Sequence, residues 1–236
     1  MNYLNPLFIL QIVILQLINR LFDLYAGGRR RPVFFDIEKT CPELLKLDDN
    51  YAAIRKELLP LLPQKRAIPR YHELDASEHY ISAQFDPDKD WRIFYLYAMG
   101  EKPGANRARC PETSALLDQI PDMMQAFFSI LDGGKSVPAH QGPYRGYIRY
   151  HLALVVPERD PPSIRIKDQY YTWREGESVL FDDSWDHEVF NKSDSERVVL
   201  IVDIRRPMPS FFDAINRFVI SVMRLVYGKQ IVKKLA

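Results

Sequence analysis

The chain is poor in cysteine and glycine, with two Cys and ten Gly against seventeen Pro. Cys41 and Cys110 cannot build a disulfide framework, and neither begins a C-x-x-C metal motif. A reducing compartment is the simpler reading. Prolines outnumbering glycines point to a loop-rich fold with strands more than to a helix bundle. Net charge is nearly missing too. Lys+Arg 32 against Asp+Glu 31 leaves +1, so no global field draws the chain to nucleic acid. Internal repeats and low-complexity segments are absent. What is present is globular. Apolar residues make up 47% and charged residues 27%, which excludes a disordered, collagen-like or multi-span membrane chain.

Residues 1–31 read as an apolar helix followed by a break at Gly27-Gly28 and the run Arg29-Arg30-Arg31. A spanning helix needs about twenty mostly apolar residues. Gln11, Gln16, Asn19, Arg20 and Asp23 interrupt this one, so three arrangements fit: a tilted membrane helix, an interfacial helix among headgroups, or a buried helix. Basic residues follow the run instead of preceding it, which argues against a signal peptide. A spanning helix with arginines behind it would leave the rest of the chain on the cytosolic side. The expected location is therefore membrane-associated, with cytoplasmic as the alternative. At the other end, residues 209–236 carry Phe212, Ile215, Val219, Val222, Met223 and Val226 at helical spacing among Arg217, Arg224, Lys229, Lys233 and Lys234. This is an amphipathic basic helix, packed on the rest of the chain or lying on a membrane surface.

Between these ends, residues 32–128 read as a helical and strand region flanking a strand-rich core at 129–208. A helix is expected over 49–62, a strand over 91–99, and short helices over 113–120 and 122–128. The segment 147–156 is the most informative. Ile148, Tyr150, Leu152, Leu154 and Val156 form an apolar face, while Arg149 and His151 share the other. Further strands are expected over 177–182 and 197–204, the latter with Val198, Leu200, Val202 and Ile204 opposite Arg197 and Asp203. The fold class is mainly β with flanking helices, a sandwich or open barrel with an internal cavity, as in jelly rolls and cupins.

Three of the five histidines, His140, His151 and His187, fall in this core. On a jelly roll, His140 and His187 can meet on neighbouring strands and share a metal. Imidazole suits Zn, Cu, Fe and Ni alike, so the ligand type leaves the metal open.

The segments His140-Gln-Gly-Pro143, Ile148-Arg-Tyr-His-Leu152, Trp173-Arg-Glu-Gly176, Phe181-Asp-Asp-Ser-Trp-Asp-His-Glu188 and Arg197 through Asp203 closely resemble the aspartyl/asparaginyl β-hydroxylases. The resemblance reaches upstream to Ser129, Asp90-Trp91, Tyr97 and Cys110-Pro-Glu-Thr113, covering about residues 90–207. It implies a double-stranded β-helix, an oxygenase activity, and Fe(II), 2-oxoglutarate and O2 as cofactor and cosubstrates. By that resemblance His140 and His187 are the iron ligands. Arg197 holds the distal carboxylate of 2-oxoglutarate with Ser129 assisting, and Arg149 and His151 contact the cosubstrate near the metal. A planar guanidinium suits a bidentate carboxylate contact. Where most oxygenases of this kind place a carboxylate two residues after the first histidine, this chain has Gly142, as the aspartyl/asparaginyl branch does. Asp182 and Asp183 are either carboxylates orienting His187 or turn caps.

The implied substrate is less sharply drawn. Cys110-Pro-Glu-Thr113, Gly142-Pro-Tyr-Arg-Gly146 and Arg149-Tyr-His-Leu152 are also similar to the lipid A 2-hydroxylases, a membrane branch that resembles a His-x-Asp site. The preferred expectation is hydroxylation of a membrane lipid acyl chain. The alternatives are a peptide or protein Asp/Asn side chain, and a non-catalytic cupin-like membrane adaptor.

Overall fold

The computed structural model describes residues 6–84 and 86–235. Ten antiparallel strands build two sheets: β1 (Phe34–Phe35), β2 (Trp91–Ala98), β3 (Met123–Leu131), β4 (Val137–His140), β5 (Tyr147–Val155), β6 (Ser163–Ile166), β7 (Gln169–Thr172), β8 (Ser178–Phe181), β9 (His187–Phe190) and β10 (Arg197–Arg205). The large sheet has the order β1-β8-β5-β10-β3-β2 and the small one β4-β9-β6-β7. Four strands of each sheet form the expected jelly roll, and β1 and β2 extend the large sheet at its two edges.

The period-two pattern of β5 and β10 sorts their side chains between two environments. Ile148, Tyr150, Leu152 and Leu154 join Val198, Leu200, Val202 and Ile204 in a core that packs against Leu44, Leu47, Ile54 and Leu58 of the flanking helices. The opposite faces look toward the small sheet, where Ala153, Val199 and Ile201 meet Ile164, Ile166, Trp173 and Val189. The large sheet thus separates a helical layer from the layer that holds the cavity.

The flanking elements follow the sequence with one reversal. A helix occupies Tyr51–Leu58 and tightens into a 3₁₀ helix over Leu59–Ala67, which carries Pro60 and Pro63. Pro111 starts the helix Pro111–Leu117 at its first position, where a missing N–H costs nothing. The expected helix over 122–128 is wrong. Met123, Met124, Gln125 and Ala126 are good helix formers, yet they lie in β3, wholly buried between β10 and β2 and hydrogen-bonded on both sides. Tertiary pairing overrides the local preference. β3 also crosses the 128/129 boundary between the two central regions.

The N-terminal helix spans Pro6–Ala26. Among the described residues no helix is long and apolar enough to cross a membrane. Two of the polar residues that interrupt the apolar run hold a loop of the core. Asn19 and Asp23 bond to Pro143 and Arg145. The C-terminal helix spans Ser210–Met223 and continues through Arg224–Gly228 into Lys229–Leu235.

Candidate metal and cosubstrate site

The antiparallel pairing of β4 with β9 sets His140 directly opposite His187, with ring centroids 4.1 Å apart. His140 Nδ1 lies 2.8 Å from the Pro138 carbonyl, and His187 Nδ1 lies 2.8 Å from that of Trp185. A carbonyl can only accept, so each Nδ1 carries the proton and each Nε2 keeps its lone pair. Burial, reinforced by the neighbouring imidazole, pushes His140 down to about 4. Burial likewise pushes His187 down to about 4. Two neutral imidazoles with oriented lone pairs fit a divalent metal. Among the described residues no cluster of three or more His, Cys, Asp or Glu side chains could hold one; the candidate site offers two histidines.

Gly142 explains why a third protein ligand has no room at the usual position. A Cβ there would lie 2.4 Å from Asp183 Oδ1 and 2.7 Å from the Tyr147 hydroxyl. The two aspartates before His187 divide their tasks. Asp182 is wholly buried, pairs with Arg31 (2.9 Å) and Arg206 (2.7 Å), and accepts from Ser184. It is a structural cap. Asp183 accepts from Tyr147 (2.9 Å) and pairs with Arg149 (2.9 Å), while its Oδ1 is buried without a partner. Burial pushes its carboxyl upward, against the pull of Arg149.

The inner face of β10 reads Arg197, Val199, Ile201, Asp203. In register, Ser129 stands beside Val199, His151 beside Ile201 and Arg149 beside Asp203. Arg197 is 2% exposed, and its Nε and Nη1 have no hydrogen-bond partner. Its guanidinium packs on the Trp173 ring at 4.6 Å, and burial pushes it down to about 9. A buried cation without a counter-ion costs several kcal/mol (roughly, by the Born argument) unless an anion arrives. Ser129, also buried, accepts the Trp91 indole N–H at 2.9 Å and keeps its own proton to donate. Both ring nitrogens of buried His151 lack partners. Burial, with the charges of Arg149 and Arg197, holds its pKa well below the usual value. Arg197, Ser129 and His151 therefore offer unspent polar capacity on one face, which fits a carboxylate ligand.

Arg149 is held within the chain by two carboxylates. Its Nε and Nη2 grip both oxygens of Asp203 (2.7 and 2.8 Å), and its Nη1 holds Asp183. Gln125 completes the group by donating to Asp203 at 2.5 Å. Most of Arg149's donors thus brace the wall, while the residue still lines a cavity of about 530 Å3 with His140, Asp183, Asp203, Trp91 and Tyr71. Gln125, Tyr147 and Glu78 carry no motif of their own and became visible only in three dimensions, as did the packing of Trp173, from the segment Trp173-Arg-Glu-Gly176, under Arg197.

Residues 48–207 match the family model described as Aspartyl/Asparaginyl beta-hydroxylase. The chain belongs to this family. Among curated β-hydroxylase relatives, it is 39% identical over 172 residues to the ornithine lipid ester-linked acyl 2-hydroxylase of Rhizobium tropici, covering 72% of this chain and 60% of that protein. It is 30% identical over 187 residues to the aspartyl/asparaginyl beta-hydroxylase of Homo sapiens, covering 77% of this chain and 23% of the human one. The chain thus spans about three-fifths of the rhizobial protein's length and under a quarter of the human one's. Among solved structures, a Pseudomonas putida prolyl-4-hydroxylase is similar at 16% identity and a TM-score of 0.48, covering 67% of this chain and 87% of that one.

Proposed function

We propose that this β-hydroxylase-family chain is an Fe(II)- and 2-oxoglutarate-dependent hydroxylase acting on a lipid acyl chain. His140 and His187 would hold the iron through Nε2. Arg197 and Ser129 would take the distal carboxylate of 2-oxoglutarate, with His151 alongside. The chemistry supplied by bound Fe(II) with 2-oxoglutarate and O2 is oxygen insertion into an unactivated C–H bond. The chain's own part is orientation. The two carbonyls fix the imidazole tautomers, Trp91 aims the Ser129 hydroxyl, and Asp183 and Asp203 keep Arg149 in the wall. Burial on the inner face excludes water and strengthens each charged contact.

The observation that carries the reading is the buried Arg197 guanidinium, without a hydrogen-bond partner at Nε and Nη1, on the face of the large sheet that looks toward the small sheet, where the two imidazoles stand opposite each other. The acyl substrate is favoured by the rhizobial relative, whose name specifies an ester-linked acyl group. Conversion of 2-oxoglutarate to succinate by the purified chain, with and without Fe(II), tests the first half. Mass spectrometry of added lipid and added peptide, seeking a gain of one oxygen, tests the second. Iron-dependent succinate and an oxygen on the acyl chain are expected. No iron-dependent succinate would make the chain an adaptor, and an oxygen on an Asp or Asn side chain would move it to peptide substrates.

A further inference from the structure

We propose that the N-terminal and C-terminal helices together form a platform that seats on an anionic bilayer surface without crossing it. The cavity mouth then faces the lipid. The reading of the substrate as an acyl chain supplies only the identity of what enters; the platform itself stands on three separate observations.

Each helix is apolar on two faces, and only one is used. In Pro6–Ala26, Leu15, Ile18 and Phe22 turn into a cluster with Tyr144, Met124 and Ile220. A second stripe, Leu10, Val13, Ile14, Leu17 and Leu24, recurs at helical intervals and is exposed, to 78% at Leu24. In the C-terminal segment Phe212, Ile215, Val219 and Met223 face the same cluster. Phe211, Phe218, Val222 and Leu225 form the outward stripe, Phe218 at 71% and Leu225 at 73%. A helix packed on one side is ordinarily polar on the other. Among the described residues, every exposed large apolar side chain except Leu59, Tyr80 and Tyr170 lies on these two segments, and such concentration marks a contact surface.

The charge around the stripes selects the occupant. Arg20, Arg29, Arg30, Arg217, Arg224, Lys229 and Lys233 are exposed. The acids of these segments, Asp23 and Asp213, are paired with Arg145 and Arg205. The fringe is cationic in a chain whose net charge is only +1. Apolar stripes bordered by cations suit the headgroup region of an anionic leaflet, and among the described residues no helix is long and apolar enough to span.

The platform is continuous with the site. Met99, Met124, Tyr144, Tyr147 and Met223 belong both to the cluster that joins the helices and to the cavity wall. Gly228 keeps the C-terminal segment close, because a Cβ there would lie 2.8 Å from the Ala98 carbonyl and 2.9 Å from that of Met99.

Flotation of the full chain with vesicles of phosphatidylcholine containing about one-third phosphatidylglycerol tests this, against vesicles of phosphatidylcholine alone. Binding to the anionic vesicles is expected, weakening as salt is raised. Leu17→Glu combined with Phe218→Glu should reduce it at least tenfold while the far-UV spectrum and melting temperature are retained, since both side chains point outward. For orientation, a polarity-sensitive thiol dye is placed through Tyr80→Cys at the cavity rim and, separately, through Leu59→Cys on the helical layer. Both native cysteines are buried, so labelling is confined to the new site. A blue shift with anionic vesicles is expected at position 80 and not at 59. Failure of the wild type to float, equal binding by the double variant, a shift at 59 instead of 80, or a salt-stable dimer broken by Phe218→Glu would each overturn the platform. None of these readouts involves turnover, so they fail or hold independently of the hydroxylase assignment.

Discussion

Asn19 and Asn216, from opposite ends of the chain, grip the same loop just after His140. Asn19 Nδ2 donates to the Pro143 carbonyl and its Oδ1 accepts the Arg145 N–H, both at 2.9 Å. Asn216 Nδ2 donates to the Gly146 carbonyl and its Oδ1 accepts the Tyr144 hydroxyl, both at 2.7 Å. The terminal helices are therefore fastened directly to the segment that begins at His140. Asn216 is wholly buried, so its amide has no water to fall back on.

Asn216→Ala leaves the Tyr144 hydroxyl unsatisfied, at a cost of about 1–3 kcal/mol, and takes one of two hydrogen bonds from the Gly146 carbonyl, which keeps the Arg206 N–H. Allowing for relaxation, a total loss of about 3 kcal/mol is expected, read as a fall of roughly 6–12 °C in melting temperature for a chain of this size. Asn19→Ala, at a partly exposed site, should cost about 1 kcal/mol. Thermal melts of the two variants check both values. A small effect at 216 would show that the loop is held by other means.

Arg197→Met gives a prediction with two signs. The buried guanidinium packs on Trp173 but lacks a hydrogen-bond partner at Nε and Nη1, so an apolar side chain of similar length should raise the stability of the cosubstrate-free protein by about 1–4 kcal/mol. The same variant should lose the thermal shift produced by 2-oxoglutarate and weaken its binding at least a hundredfold (about 2.7 kcal/mol). Differential scanning fluorimetry with and without 2-oxoglutarate measures both. A destabilised variant that still binds the cosubstrate would mean that Arg197 is structural.

The contrast between β5 and β3 shows what could be read from the chain alone. In β5 the alternation of Ile148, Tyr150, Leu152 and Leu154 with Arg149 and His151 is local, so it revealed both the strand and its cavity face. In β3 the residues Met123 to Ala126 favour a helix locally, and what makes them a strand is pairing with β10, far along the chain. The imidazole pair is an intermediate case. Position and residue type nominated His140 and His187, but only the β4–β9 register sets them opposite each other. The bracing of Arg149 by Asp203, Asp183 and Gln125 left no trace in the sequence, because each of those residues is ordinary in its own segment. Helical spacing at the C-terminus was legible, although it did not separate the packed stripe from the exposed one.

Gly142→Asp would supply the side chain that most related oxygenases use as a third ligand, yet it should not create one. Its Cβ would meet Asp183 Oδ1 and the Tyr147 hydroxyl well inside contact distance. A second carboxylate would also face a buried one whose pKa is already raised. The expected result is a loss of about 2–4 kcal/mol with weaker metal binding. Gly142→Ala isolates the steric part, and adding Asp183→Ala to it should recover part of the loss by removing the nearest clash. Urea denaturation of the single and double variants measures the coupling. Full additivity would show that Asp183 is not what fills the space.

Glu78, on the cavity wall, provides the pH dependence. Burial, with the nearby charge of Asp75, raises its carboxyl from 4.5 to about 7. The folded state then holds this proton more tightly than the unfolded one. Its contribution is fully present below about pH 4.5, is lost as pH rises through about 7, and stays lost above that. The whole interval corresponds to at most about 3 kcal/mol at 1.36 kcal/mol per pH unit. Partial exposure of the side chain reduces this to about 1–2 kcal/mol. Glu78→Gln has no proton to lose, so the stability difference between variant and wild type should widen in the variant's favour from pH 5 to pH 8. Urea midpoints at several pH values provide the measurement. Parallel profiles for the two proteins would mean that Glu78 is ionised and solvated in the folded state, leaving the cavity wall negatively charged at neutral pH.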